Sequence, residues 1–250
     1  MVLARLLTPA DFGLIAMVGA ILGFIGMFRD AGLSMAVVQN ARVNFEQIST
    51  LFWVNVFIGL VLTLVVVLIA PVITWFYGDP RLTEVAVVLA IPMFLGGLGN
   101  LHRALLTRQM RFFSIETIGI IAQIAGIVAA ISAALMGAGY WALVIMPIGS
   151  SAVNVFLVWV ITGWIPGPPR RKTGVRPMLW FGANLTGSGF LNYWTRNLDN
   201  ILIGWAVGAN ALGFYSKAYQ LLLMPIQQIN GPIGKVAVPA LSRLQNEPDR

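Results

Sequence analysis

From Ser49 to Phe76 the chain runs without a charged residue, through a stretch dominated by Leu, Val, Ile and Phe. A helix spans the hydrocarbon of a bilayer with about 20 mainly apolar residues. Further runs of this kind recur along the chain, near Phe12–Val38, Leu82–Leu101, Ser114–Met136, Tyr140–Ile165 and Met178–Val207. A last one runs from about Ala211 to Leu241 and is expected to break at Pro225, Gly231, Pro232 and Pro239. The opening Met1–Leu7 reads as the tail of a helix. Composition agrees: 58% of residues are hydrophobic and only 10% charged, against about 45–50% and 25% in soluble domains. The fold class is therefore all-α, a polytopic membrane protein.

A net charge of +7 would suit a nucleic-acid binder, but the basic residues sit in short loops between apolar runs. One set of loops carries Arg42, then Arg103, Arg108 and Arg111, then Arg170, Arg171, Lys172 and Arg176, then Arg243 and Arg250. The opposite set carries Arg5 and Arg81. Cytoplasmic loops collect Lys and Arg, so the first set faces the cytoplasm. No basic groove with interleaved aromatics supports nucleic-acid binding. The chain has no cysteine and one histidine, which excludes disulfides and thiolate sites and leaves a Ser-His-Asp triad hard to build. No cofactor is implied.

The longest polar segment, "IPGPPRRKTGVRP", divides the chain. We expect a transmembrane lobe at 1–165 with its first helix incomplete, a cytoplasmic linker at 166–177, and the start of a second lobe at 178–250. An internal echo supports that boundary. Phe12-Gly13-Leu14-Ile15-Ala16 follows "LLTPAD" much as Leu212-Gly213-Phe214-Tyr215-Ser216 follows "AVGANA". Parallel repeats about an axis along the membrane normal are a transporter device. If the echo is a repeat, the chain is part of a protein nearly twice as long.

Charge inside the apolar runs marks the candidate site. Asn184, Ser188, Asn192, Arg196 and Asp199 step by four, four, four and three residues. At about 100° per residue that keeps them on one helix face. Asn and Ser alone could form a polar packing seam between helices. A charge at mid-membrane costs about 2.5–3.5 kcal/mol on insertion scales, so Arg196 and Asp199 should face a bundle interior or a wet cavity. Lys217, Gln220, Gln227, Gln228, Gly231 and Lys235 form a second stripe on the next helix. Counting back from the turn at Gly208–Asn210, Asp199 and Lys217 lie on the order of 10 Å deep, so they are expected to be neighbours or to share a cavity. A lining of Arg196, Lys217 and Lys235 against Asp199 is net positive and suits a phosphate or pyrophosphate. Arg29-Asp30 either lines the matching face of the first bundle or pairs locally near the cytoplasmic end. Arg103, Arg108 and Arg111 are expected among anionic headgroups, with His102 snorkelling beside them.

The phrases "LARLLTPADFGLIAM", "STLFWVNVFIGLVL", "FYGDP", "RALLTRQMRF" and "PALSRLQNEPDR" are of the kind found in bacterial polysaccharide flippases. The most specific block is "RNLDNILIGWAVGANALGFYSKAYQL", Arg196 onward. Essentially end to end, the chain resembles the Wzx-like, colanic-acid-exporter branch (O-antigen and polysaccharide flippases) of the multidrug/oligosaccharidyl-lipid/polysaccharide superfamily. The resemblance implies two six-helix lobes around a central cavity, with most of the second lobe beyond this chain. It implies a lipid-linked (undecaprenyl-diphosphate) oligosaccharide as substrate, moved across the bacterial inner membrane by alternating access. It also admits a coupling ion, H+ or Na+, with Asp199 as its candidate carboxylate; beside Arg196 and Lys217 that carboxylate should stay ionised, which favours a structural or gating role. Two other functions stand as alternatives. A multidrug cation antiporter of the same superfamily should have an acidic, aromatic cavity. A membrane-embedded polysaccharide polymerase or ligase would need a large outer loop or clustered catalytic groups.

Overall fold

Each helix starts and stops where local chemistry dictates. The computed structural model describes residues 2–30, 32–39, 44–170, 175, 179–180, 193–195 and 197–244, with side chains through 226 apart from 2, 4 and 39. A short α1, Val2–Leu6, leads into α2, Pro9–Gly26. Thr8 caps α2: its backbone N–H donates to the Asp11 carboxylate at 2.8 Å, and Pro9 occupies the first turn, where a missing N–H costs nothing. Residues 27–30 turn away from α2, and α3 covers Leu33–Gln39. The apolar run read as one helix from Phe12 to Val38 is thus two. Gly32, at φ +65°, takes a backbone conformation that glycine adopts without strain.

Next come α4, Phe45–Tyr77, α5, Arg81–Leu89, and α6, Ile91–Arg108. α4 ends at Gly78, whose φ of +72° makes it a left-handed cap. α5 and α6 form one apolar unit, interrupted at Ala90 just before Pro92. Pro92 has no N–H to continue the ladder. α7 spans Phe112–Leu135 and α8 Trp141–Thr162. Residues 193–195 and 197–206 are helical, and we call the latter α9. Gly208, at φ +96°, turns the chain into α10, Ala209–Leu244. The break expected at Pro225, Gly231, Pro232 and Pro239 is absent: α10 is one helix throughout. Proline is tolerated in membrane helices because neighbours satisfy the freed carbonyls.

Five of these stretches are long and apolar enough to cross a bilayer: Pro9–Gly26, Phe45–Tyr77, Arg81–Arg108, Phe112–Leu135 and Trp141–Thr162. Their outer faces are apolar and uncovered, as at Trp75, Leu68 and Phe57 on α4. Water would make that costly, whereas lipid makes it neutral. The protein is an all-α, multi-pass membrane protein.

With lipid outside, little hydrophobic force drives helix against helix, so small residues and close backbone packing decide contacts. α6 meets α4 where a Cβ on Gly97 would fall 2.8 Å from the Asn55 carbonyl oxygen. α7 meets α8 where a Cβ on Gly126 would fall 2.6 Å from that of Met146. The closest approach joins the two echo segments. A Cβ on Gly13 would collide with the Ala209 carbonyl oxygen, and one on Gly213 with that of Pro9. Around this crossing, Leu14, Met17, Val18 and Leu212 form the main buried cluster with Val66, Ile73 and Val85.

At the end of the bundle where α4 starts, the segment after α8 lies along α4. The Trp53 indole N–H donates to the Gly167 carbonyl at 2.9 Å, and the Gly167 N–H donates to Ser49 Oγ at 3.1 Å. Arg170 pairs with Glu46. His102 is fully buried rather than snorkelling. It stacks on Trp159 at 4.4 Å between ring centres, and its Nε2 lies 3.2 Å from the Trp164 carbonyl. The expectation failed because a residue near a helix end reaches the interface only if its face is not already covered. Here α8 and Trp164 cover it.

Candidate functional site

The polar stripe comes first. Asn184, Ser188, Asn192 and Arg196 lie outside the described residues, and Lys235 falls on α10 with its side chain outside them as well. Asp199 is described. Its Oδ1 accepts the Asn200 backbone N–H at 2.8 Å, and its Oδ2 accepts the Tyr215 hydroxyl at 2.5 Å. Tyr215 in turn stacks on Tyr219.

Lys217 makes no ion pair with Asp199. Its ammonium lies 4.4 Å from the centre of the Phe12 ring and donates to Gln220 Oε1 at 3.3 Å. Asp199 does meet α10, but through Tyr215 rather than Lys217. Rotation separates them: two residues are about 200° apart on a helix. When Tyr215 points at Asp199, Lys217 points toward α2. Gln220, one turn on, follows Lys217.

A second polar region lies inside the first group of helices. A cavity of about 510 Å³ opens among α6, α7 and α8, beside the turn after α2. Arg29 and Arg103 line it, with Asn100, Gln123, Ser150 and Asn154. Arg29 comes from the turn following α2, and its guanidinium lies over Gly96: a Cβ there would sit 2.6 Å from Arg29 Cδ and 2.9 Å from Nε. Arg103, on α6, reaches toward Gly119 of α7, with Nη2 3.9 Å from where a Cβ would be. Burial lowers the pKa of Arg29, the charge of Asp30 opposes that shift, and the charge of Arg103 adds to it. The two glycines make the space that the long side chains occupy.

Asp30 does not follow its neighbour into this cavity. Its Oδ1 accepts the Ser34 hydroxyl at 2.6 Å, and both oxygens face the Ser34 N–H at 3.3 Å, so it caps the start of α3. The two readings of Arg29-Asp30 therefore divide: arginine lines a cavity and aspartate pairs locally. Among the described residues that line the cavity there is no carboxylate. The two carboxylate–cation bridges found among the described residues lie elsewhere, Asp79–Arg81 at one rim and Glu46–Arg170 at the other.

Arg103 was expected among headgroups, and Asn100, Gln123, Ser150 and Asn154 drew no attention from the sequence. A weak signal was present. Gln123 interrupts an apolar helix, and Ser150, Ser151 and Asn154 cluster on α8. Nothing in the sequence says that these faces point at one another. Among the described residues no group of three or more His, Cys, Asp or Glu is placed to hold a metal ion.

A positive, polar cavity inside a lipid-facing helical bundle narrows the class of protein, and comparison with known sequences fixes the family. The profile described as polysaccharide biosynthesis protein matches residues 2–250. The chain belongs to the polysaccharide biosynthesis protein family. Among relatives of this family, it is 27% identical over its whole length to the lipopolysaccharide biosynthesis protein WzxC of Escherichia coli (strain K12), covering 51% of that protein. It is 29% identical to the teichuronic acid biosynthesis protein TuaB of Bacillus subtilis (strain 168), over 90% of this chain and 47% of that one. It is 26% identical over its whole length to the succinoglycan biosynthesis transport protein ExoT of Rhizobium meliloti (strain 1021), covering 50% of it. The chain thus spans about half the length of these family members. No solved structure matches it significantly. Membership of this family, with the membrane-crossing helices, places the protein in the bacterial inner membrane as a multi-pass protein.

Proposed function

We propose that the full-length protein is a flippase. It carries a lipid-linked (undecaprenyl-diphosphate) oligosaccharide across the inner membrane for polysaccharide export, by alternating access of two lobes. The observation that carries this reading is the placement of Arg29 and Arg103 in one polar cavity within the bundle. Buried cations in a membrane are costly and mark substrate pathways, and arginine suits bidentate capture of phosphate oxygens. The family match and a relative named as a transport protein point the same way.

In this reading the crossing of α2 and α10 joins the two lobes at the outer side, residues 1–165 forming one lobe and 178–250 opening the other. The prenyl chain stays in lipid while the charged headgroup passes through the polar interior. Asp199, held by Tyr215, is the candidate group for coupling to H+ or Na+ or for gating. The cation-antiporter reading fares worse, because a cationic drug would meet two guanidinium groups and, among the described residues, no lining carboxylate. The test is complementation: the full-length gene should restore surface polysaccharide in a bacterium lacking its own flippase. Wild-type export by both Arg29→Gln and Arg103→Gln proteins would remove the cavity from the mechanism.

A further inference from the structure

Along α2 the first group of helices meets the part of the chain after the linker at two places. One is the crossing at Gly13, where α10 starts. The other is Gly23, about 15 Å further along the same helix. There a Cβ would fall 2.5 Å from the hydroxyl oxygen of Tyr193 and 3.3 Å from Cε2 and Cζ of its ring, so the missing side chain makes the seat of the tyrosine. The hydroxyl donates to the Ala20 carbonyl, and the Phe24 backbone N–H bonds to the same hydroxyl. The Phe24 ring closes the seat, 5.8 Å between centres from Tyr193 and 5.4 Å from Trp194.

The two contacts differ in kind. At Gly13 the fit is backbone against backbone and depends on shape. At Gly23 a side chain is inserted, and a hydrogen bond holds it. Ala20 and Phe24 stand four residues apart on α2, the spacing of a helical rung, so each keeps a partner on its own helix when the hydroxyl leaves. The tyrosine needs a partner wherever it goes, and water supplies one in a wet cavity. Seated and released forms therefore both leave the polar groups satisfied, which a contact must do to switch inside a membrane. Phe24 also meets Phe28 edge-on at 5.8 Å, and the next residue, Arg29, lines the cavity. The seat thus borders the side chains that lead to the candidate site.

We propose that Tyr193 in the Gly23 notch is a latch that holds the two groups of helices closed along α2, and that its release lets them part. This rests on the flippase reading, in which the lobes move relative to one another but no residue is assigned to hold them. The latch is a positioning device: it sets how much of the protein is closed along this seam and touches no substrate.

The experiment uses the full-length protein in lipid nanodiscs, spin-labelled at cysteines introduced for Met136 and Val207. Both positions are exposed, and they stand on either side of the seam at the end of the bundle where α2 begins. Residues 1–250 contribute no cysteine of their own. Dipolar distance measurements on the wild-type background should show mainly a short separation. Tyr193→Phe and Gly23→Ala should each raise the ratio of long to short separations by about three- to tenfold, the weight of one hydrogen bond. The double variant should raise it no further than the larger single effect, because both substitutions remove one contact. Gly19→Ala should leave the ratio unchanged, since nothing lies within 4 Å of a Cβ there. The proposal is overturned if folded Tyr193→Phe and Gly23→Ala proteins keep the wild-type ratio. It is overturned equally if the two effects add, or if Gly19→Ala moves the ratio as far. A protein that restores export while its distances ignore these substitutions sinks the latch alone. One whose distances answer to them yet never restores export sinks the flippase reading alone.

Discussion

Gly13 and Gly213 oppose one another across the crossing of α2 and α10, each leaving room for a carbonyl on the partner helix, Ala209 for Gly13 and Pro9 for Gly213. The contact is reciprocal: the fourth residue after each helix start receives the first residue of the other helix. A self-complementary contact of this kind is what two-fold symmetry produces at an interface. The weak sequence echo around Gly13 and Gly213 thus acquires a physical content. It marks two helix starts whose backbones can touch only where both lack a Cβ.

Alanine at Gly13 or Gly213 should destabilise the protein by about 1–3 kcal/mol, as overpacking does. Because either substitution forces the same two backbones apart, the double variant should cost clearly less than the sum of the singles. Gly19→Ala is the control. Nothing lies within 4 Å of a Cβ there, and alanine favours a helix by up to about 1 kcal/mol over glycine. Thermal unfolding in detergent reads all four variants.

Tyr215→Phe should lower the melting temperature, since it removes a hydrogen bond to the Asp199 carboxylate. Asp199→Asn and Lys217→Met should be additive within about 0.5 kcal/mol, because the two side chains do not pair. A double-mutant cycle showing strong coupling between Asp199 and Lys217 would contradict the observed geometry.

In the turn between α4 and α5, the side-chain hydrogen bonds from Arg81 hold the Asp79 carboxyl below its ordinary range, aided by the Arg81 backbone N–H and charge. A depressed folded-state value means that the contribution is present above the unfolded pKa, about 3.9, and is lost as pH falls through the folded value. Asp79→Asn should therefore cost up to about 1 kcal/mol at neutral pH, as a surface pair does. The difference from wild type should vanish at pH values well under 4. A melting series from pH 7 downward checks the sign.

His102 is the sole histidine in these residues and is fully buried against Trp159 and Trp164. Diethyl pyrocarbonate should leave it unmodified in the folded protein and label it rapidly after denaturation, as read by peptide mass spectrometry. Rapid labelling in the native state would contradict the packing around α6 and α8.

The helices were legible because the signal for them is local: length and apolarity decide a membrane span, and turn residues such as Gly78 and Gly208 close it. That Asp199 meets the next helix was legible too, because a short turn at Gly208 brings α9 and α10 side by side. Rotation was not. Whether Tyr215 or Lys217 faces Asp199 depends on how α10 packs on α2, and that is set by Gly13 and Gly213 200 residues apart in sequence. The cavity was hidden for the same reason. Arg29, Arg103, Gln123 and Asn154 come from a turn and three helices, and each alone is an ordinary polar residue near or within an apolar run. Arg103 is the clearest case, read as a headgroup contact because its loop is basic, yet turned inward beside Gly119.

The most direct test of the central claim is transport by the purified full-length protein in proteoliposomes. A fluorescent undecaprenyl-diphosphate oligosaccharide is placed in both leaflets, and a membrane-impermeant glycosidase cleaves what the outer leaflet exposes. The account predicts that wild-type protein makes nearly all of the substrate accessible, while Arg29→Gln and Arg103→Gln proteins leave about half protected. Protection of half the substrate by folded wild-type protein under every coupling-ion gradient, or full accessibility with both arginine variants, would contradict it.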